Sequence, residues 1–91
     1  MTNEDERDRA LALLKATHEF PVAYELSVIT VSETEVIAEL VVVVGVEAHQ
    51  SVPSSGGKYI SHRFKVPCQA PEDVLALHAR IRSVTGVITV L

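Results

Sequence analysis

From Val22 to Val31 the chain alternates without a break, placing Val22, Tyr24, Leu26, Val28 and Thr30 on one side and Ala23, Glu25, Ser27, Ile29 and Val31 on the other. Successive side chains of a strand point to opposite faces, so this pattern fits a strand with one face against a core. Lys58 to Val66 repeats it, with Ile60, His62, Phe64 and Val66 opposed to Tyr59, Ser61, Arg63 and Lys65. Two such segments in a chain of 91 residues commit it to a sheet covered on one side and to helices that do the covering. That length holds one core, so the reading is a single domain over 1–91, of which 1–18 form an N-terminal extension carrying a helix.

The remaining elements follow from period and punctuation. Asn3 and Glu6 have capping-box spacing, and Leu11, Leu14 and His18 recur at helical intervals, which predicts a helix over 4–18 ended by Phe20-Pro21. Ser32 with Glu35 is a second capping box. Four consecutive valines in the segment that follows favour a strand by propensity, but Val36, Ile37, Leu40, Val43 and Val44 share one helical face. The reading is a helix over 33–44, ended by Gly45 in the left-handed region and leaving Val42 on the outer side.

Residues 46–53 alternate again, Val46, Ala48 and Val52 against Glu47, His49 and Ser51, and lead through the turn Pro53-Ser54-Ser55-Gly56-Gly57 into the Lys58–Val66 strand, which Pro67 ends. Pro71 opens the last helix with Glu72 and Asp73 in its first turn; its inner face is Val74, Leu77, Ile81 and Val84, and Gly86 is its expected cap. Val87 to Leu91 closes as a short strand. The order after the first helix is that of a ferredoxin-like α+β sandwich, βαββαβ, with a four-stranded antiparallel sheet and its two main helices on one face.

Composition narrows the function classes. The core is aliphatic, with 47% hydrophobic residues but only 4% aromatic and no Trp. The longest apolar run is broken by Glu39 and Gly45, short of a membrane span, and the acidic start is unlike a signal peptide, so a cytoplasmic protein without membrane contact is expected. A net charge of −4 argues against nucleic acid, although Glu4, Asp5, Glu6 and Asp8 carry much of it. Cys68 is the lone cysteine and reads as a buried or spectator thiol.

Phe20-Pro21 opening the first strand, and Pro53-Ser54-Ser55 running through Gly57 and Tyr59 to Ser61, together with the valine-rich helix, the acidic start of the last helix and the terminal Val90-Leu91, resemble the YbeD-like family of small bacterial proteins. The resemblance covers roughly residues 11–91. It implies an ACT-like ferredoxin fold in a domain of unknown function; likeness to ACT domains implies regulation by a small ligand, and the family has been linked to lipoate metabolism by genomic context. Two departures are a short connection between the second helix and the hairpin, and Ala70 where a Ser or Thr cap would stand.

Seven residues are candidates for a ligand site: Ser54, Ser55, Gly57 and Lys58 in the turn, and Tyr59, Ser61 and Arg63 on the uncovered strand face. The turn invites comparison with a phosphate loop, but its spacing is wrong and Lys58 leads into a strand, so a plain hairpin fits better. Tyr59, Arg63 and Lys65 lack the aromatic-rich pattern of an RNA-binding sheet. His18, His49, His62 and His78 show no metal-ligand spacing; His62 and His78 read as hydrogen-bonded packing residues. Glu25 and Glu39 lie toward solvent, no serine sits in a nucleophile elbow, and no catalytic residue, metal or cofactor is assigned. The leading expectation is a non-enzymatic regulatory or interaction domain that forms a homodimer through the open sheet face or a free strand edge. Its rivals are a sensor of an amino acid or other carboxylate near the hairpin and, less supported, a nucleic-acid-binding sheet.

Overall fold

The computed structural model describes residues 3–91. Along the chain run α1 (Asn3–Thr17), β1 (Val22–Val31), α2 (Thr34–Val44), β2 (Gln50–Pro53), β3 (Tyr59–Cys68), α3 (Pro71–Arg82) and β4 (Val87–Val90). The strands form one antiparallel sheet in the order β2-β3-β1-β4, the expected ferredoxin-like arrangement preceded by a helix. α2 and α3 cover one face, and α1 lies alongside α3. No described helix is long and apolar enough to cross a membrane.

The alternation seen in β1 and β3 becomes the core. Leu26 pairs with Phe64 and Val28 with His62, and these meet Leu40 and Val44 of α2 and Val74, Leu77 and Ile81 of α3. In α2 the packed face wins over the strand propensity of its valines: Val36, Leu40 and Val44 are buried, Val42 stands outward, and Gly45 closes the helix at φ 88. Burying apolar side chains is worth roughly 1.5–3 kcal/mol each, far more than the few tenths by which valine disfavours a helix.

Several expectations are corrected. α1 begins at Asn3 and ends at Thr17, one residue earlier than expected; the Asn3 side chain, and with it the first capping box, lies outside the described residues. The second capping box does not form: the N-cap is Glu33, without a side-chain bond, while the Ser32 amide donates to the Lys58 carbonyl. In α3 the cap is supplied from inside the helix, where the Asp73 carboxylate accepts from the amides of Gln69 (2.8 Å) and Ala70 (3.1 Å). Gly86 is not the cap of α3, which ends at Arg82 with Ser83 as its C-cap; it turns the chain into β4 at φ 100.

Two strand readings also change. β3 runs through Pro67 to Cys68, with Pro67 opposite Ala23. Ser54 donates to the Tyr59 carbonyl, so odd-numbered residues of β3 face β2, which reaches only to Arg63. The missing Pro67 donor therefore points past the end of β2 and costs no ladder bond. β2 is shorter than 46–53, and its faces are the reverse of those expected: Ser51 turns inward and Val52 outward, because residues 45–49 leave α2 as an irregular segment that breaks the alternation.

Candidate interaction surface

Two polar residues sit inside the core, Thr30 and His62. The Thr30 hydroxyl donates to the Val31 carbonyl (3.0 Å), so its lone pair is left to accept Nε2–H of His62 at 3.0 Å, and Nδ1 accepts from the Ser51 hydroxyl at 3.0 Å. A neutral imidazole with its proton on Nε2 satisfies these bonds, and burial favours that form by pushing the pKa down from the usual 6.5. Both ring nitrogens are occupied, which makes His62 a packing residue. The Cys68 thiol is raised, first by burial and then by the Asp73 carboxylate against the lowering effect of Arg80, and so is a poor nucleophile.

The His62 shift sets a pH dependence. A histidine held below its unfolded pKa contributes stability that is complete above about 6.5 and is lost as pH falls through its folded value, because the unfolded chain binds the proton first. His78, lowered by burial and then by Arg82, acts in the same direction. Urea unfolding at pH 7.5 and 5.5 is expected to show lower stability at the acid end and a smaller pH difference in His62→Gln. An unchanged difference in the variant would remove His62 as its source.

The seven ligand-site candidates fall into two places. Ser54, Ser55, Gly57 and Lys58 form the hairpin turn, where Gly57 donates to the Ser54 carbonyl (2.9 Å) and the Tyr59 amide donates to the Ser54 hydroxyl (3.1 Å). The Lys58 ammonium lies 5.6 Å from the centre of the Tyr59 ring. Tyr59, Ser61 and Arg63 stand on the uncovered sheet face, with Arg63 about 13 Å along the strand from Tyr59. Of the seven, only Arg63 lines the shallow hollow of about 300 Å³ on that face, beside Glu25, Ser27, His49 and Leu91. The Lys65–Glu25 pair spans β3 and β1 at 3.6 Å and is exposed, an arrangement worth little. Among the described residues no three His, Cys, Asp or Glu side chains gather as metal ligands.

The two sheet edges differ in a way the sequence did not reveal. In β2 the Ser54–Tyr59 bond fixes Gln50 and Val52 as facing β3, so Ser51 and Pro53 point their backbone outward, and Pro53 has no donor to offer. In β4, Ser27 and Leu91 exchange both backbone bonds (3.0 and 2.8 Å), so the Val90 amide and carbonyl face away from the sheet. Ile88 is the extra residue of a bulge opposite Ile29 and Thr30, and it is 56% exposed. From Ser83 to Leu91 there is no charged residue. The missing signal was the direction of Pro53, which depends on pairing register and not on composition.

A search of curated proteins and one of solved structures each returned no match. A family described as "Protein of unknown function (DUF493)" matches residues 15–91, from the last turn of α1 through β4. That span takes in every strand of the sheet and both helices that cover it, and the chain belongs to the DUF493, YbeD-like family.

Proposed function

We propose that this chain is a non-enzymatic, ACT-like interaction domain that works as a homodimer joined through β4, the two sheets running on as one. The observation that carries this reading is the contrast between the edges. Each edge presents one outward backbone donor and acceptor, at Ser51 in β2 and at Val90 in β4, but Pro53 breaks the row on β2, whereas β4 contains no proline and exposes Ile88. Natural edges are defended by prolines, charges, bulges or short length. β4 has the last two, a four-residue strand with its bulge at Ile88, but neither proline nor charge, and beyond the bulge the Val90 groups face outward as a template for pairing. A second copy is the partner that matches by symmetry: about a two-fold axis near Val90, antiparallel β4 strands present each other the same donor and acceptor.

A four-residue edge buries less than the roughly 800 Å² per partner of a standard interface, so the dimer is weak and its formation follows concentration. The open faces, with Tyr59, Ser61, Arg63 and Lys65, then lie on one continuous side for a further partner. Sedimentation equilibrium should give a mass that rises with concentration toward two chains. Ile88→Lys should hold it at one chain with an unchanged circular dichroism spectrum. A native-like variant that still dimerises would reject the β4 interface.

A further inference from the structure

A second feature lies among the helices and meets the sheet edge only at Arg82, which also lines a hollow against Val87–Val90. α1 and α3 do not close on each other along their whole length but leave a cleft of about 400 Å³, within the range of small-molecule pockets. Its walls are apolar: Leu13 and Leu14 from α1, Val74, Leu75 and Ala79 from α3. Leu13 stands at 65% exposure.

The polar groups of the cleft are few and held in place. Tyr24 reaches it from β1, with the rings of His18 and His78 at 5.5 and 6.0 Å on either side. Its hydroxyl lies 3.5 Å from His78 Nε2, at the outer limit of a hydrogen bond, so both groups keep bonding capacity for a third partner. Burial raises the Tyr24 pKa and lowers that of His78, which leaves both uncharged near neutral pH. Arg82, also lining the cleft, is then its one charge, and it makes no ion pair among the described residues.

We infer that the α1–α3 cleft is a binding site for a small molecule with an apolar, ring-sized body and a single negatively charged group, the body between Leu13 and Leu75 and the charge at Arg82. The apolar walls supply affinity by removing the ligand surface and Leu13 from water. The guanidinium supplies charge complementarity, and the Tyr24 and His78 groups orient a polar atom at the inner end.

Two dyes of similar shape separate these contributions: anilinonaphthalene sulfonate, which is an anion, and N-phenyl-1-naphthylamine, which is neutral. The native protein should bind the sulfonate saturably at one per chain. Arg82→Gln should weaken the sulfonate by roughly tenfold or more while leaving the neutral dye unchanged. Leu13→Glu, at an exposed position that carries no risk to the core, should weaken the sulfonate by adding a like charge, and Leu75→Trp should abolish both by filling the cleft. Arg82 also lines a hollow against Val87–Val90 of β4, so the titrations are run at a concentration where sedimentation gives one chain, which keeps this test independent of the dimer. Sulfonate binding that survives Leu13→Glu and Arg82→Gln unchanged, or that never saturates, would overturn the assignment.

Discussion

Gly86→Ala is expected to lower the unfolding free energy by about 4 kcal/mol, from backbone strain and overpacking of roughly 1–3 kcal/mol each. Gly86 sits at φ 100, a region that residues with a Cβ rarely enter, and its carbonyl accepts from Val31 to start the β4 pairing. A Cβ there would stand 2.7 and 2.9 Å from the two methyls of Val36 and 3.1 Å from a methyl of Val31. Val36 is buried and, being β-branched on a helix, has essentially one rotamer, so it does not swing aside. At about 4–8 °C per kcal/mol for a domain of this size, the melting temperature should fall by about 20 °C. Gly56→Ala, where nothing lies within 4 Å, serves as the control and should be near neutral. Adding Val36→Ala to Gly86→Ala should recover the steric part and leave the strain, a coupling that a double-mutant cycle reads directly. A melting temperature within a few degrees of wild type would contradict the close packing of this turn against α2.

Phe64→Ala is expected to cost about 3–5 kcal/mol, the range for deleting a buried aromatic ring and leaving a cavity. Phe64 is fully buried on the central strand β3, opposite Leu26, beside the His62 ring at 6.4 Å, and within the cluster formed by Leu40, Val74, Leu77 and Ile81. Total stability for a domain of this length is about 5–14 kcal/mol, so the loss is a large share of it. Phe64→Leu should retain most of the packing and lose much less. Urea midpoints for the three proteins check the ordering, and an alanine variant as stable as the leucine one would place Phe64 outside the core.

The strands and helices were legible because their hydrophobic periods are unambiguous over whole elements: period two in β1 and β3, helical spacing in α3. α2 was legible for a subtler reason, since the position of Glu35 and Glu39 on one side made its valines a helical face despite their strand propensity. What the sequence hid depends on contacts that no local rule encodes. Asp73 caps α3 by reaching back to Gln69 and Ala70, so the absence of Ser or Thr at the cap position was no defect. Pro67 is accommodated only because β2 has already ended on that side. Ser51 turns inward because the segment after Gly45 is irregular, and it thereby completes the bonding of His62.

The candidate site was legible in part. Tyr59, Ser61 and Arg63 do lie on the open face and Ser54 to Lys58 do form the hairpin, but strand geometry keeps Arg63 well away from the turn. The aromatic group of His18, Tyr24 and His78 joins the connection after α1 to β1 and α3, and only tertiary packing brings them together.

The most direct test of the β4 interface is the exchange rate of the Val90 backbone amide, followed by nuclear magnetic resonance across a range of protein concentrations. In a lone chain this N–H faces away from β1, whereas the Leu91 amide is bonded to Ser27. Pairing with a second copy predicts that Val90 exchanges quickly when dilute and becomes protected as concentration rises, while Leu91 changes little. A Val90 rate that stays fast and independent of concentration up to the highest accessible would contradict the dimer and leave β4 as an unpaired edge.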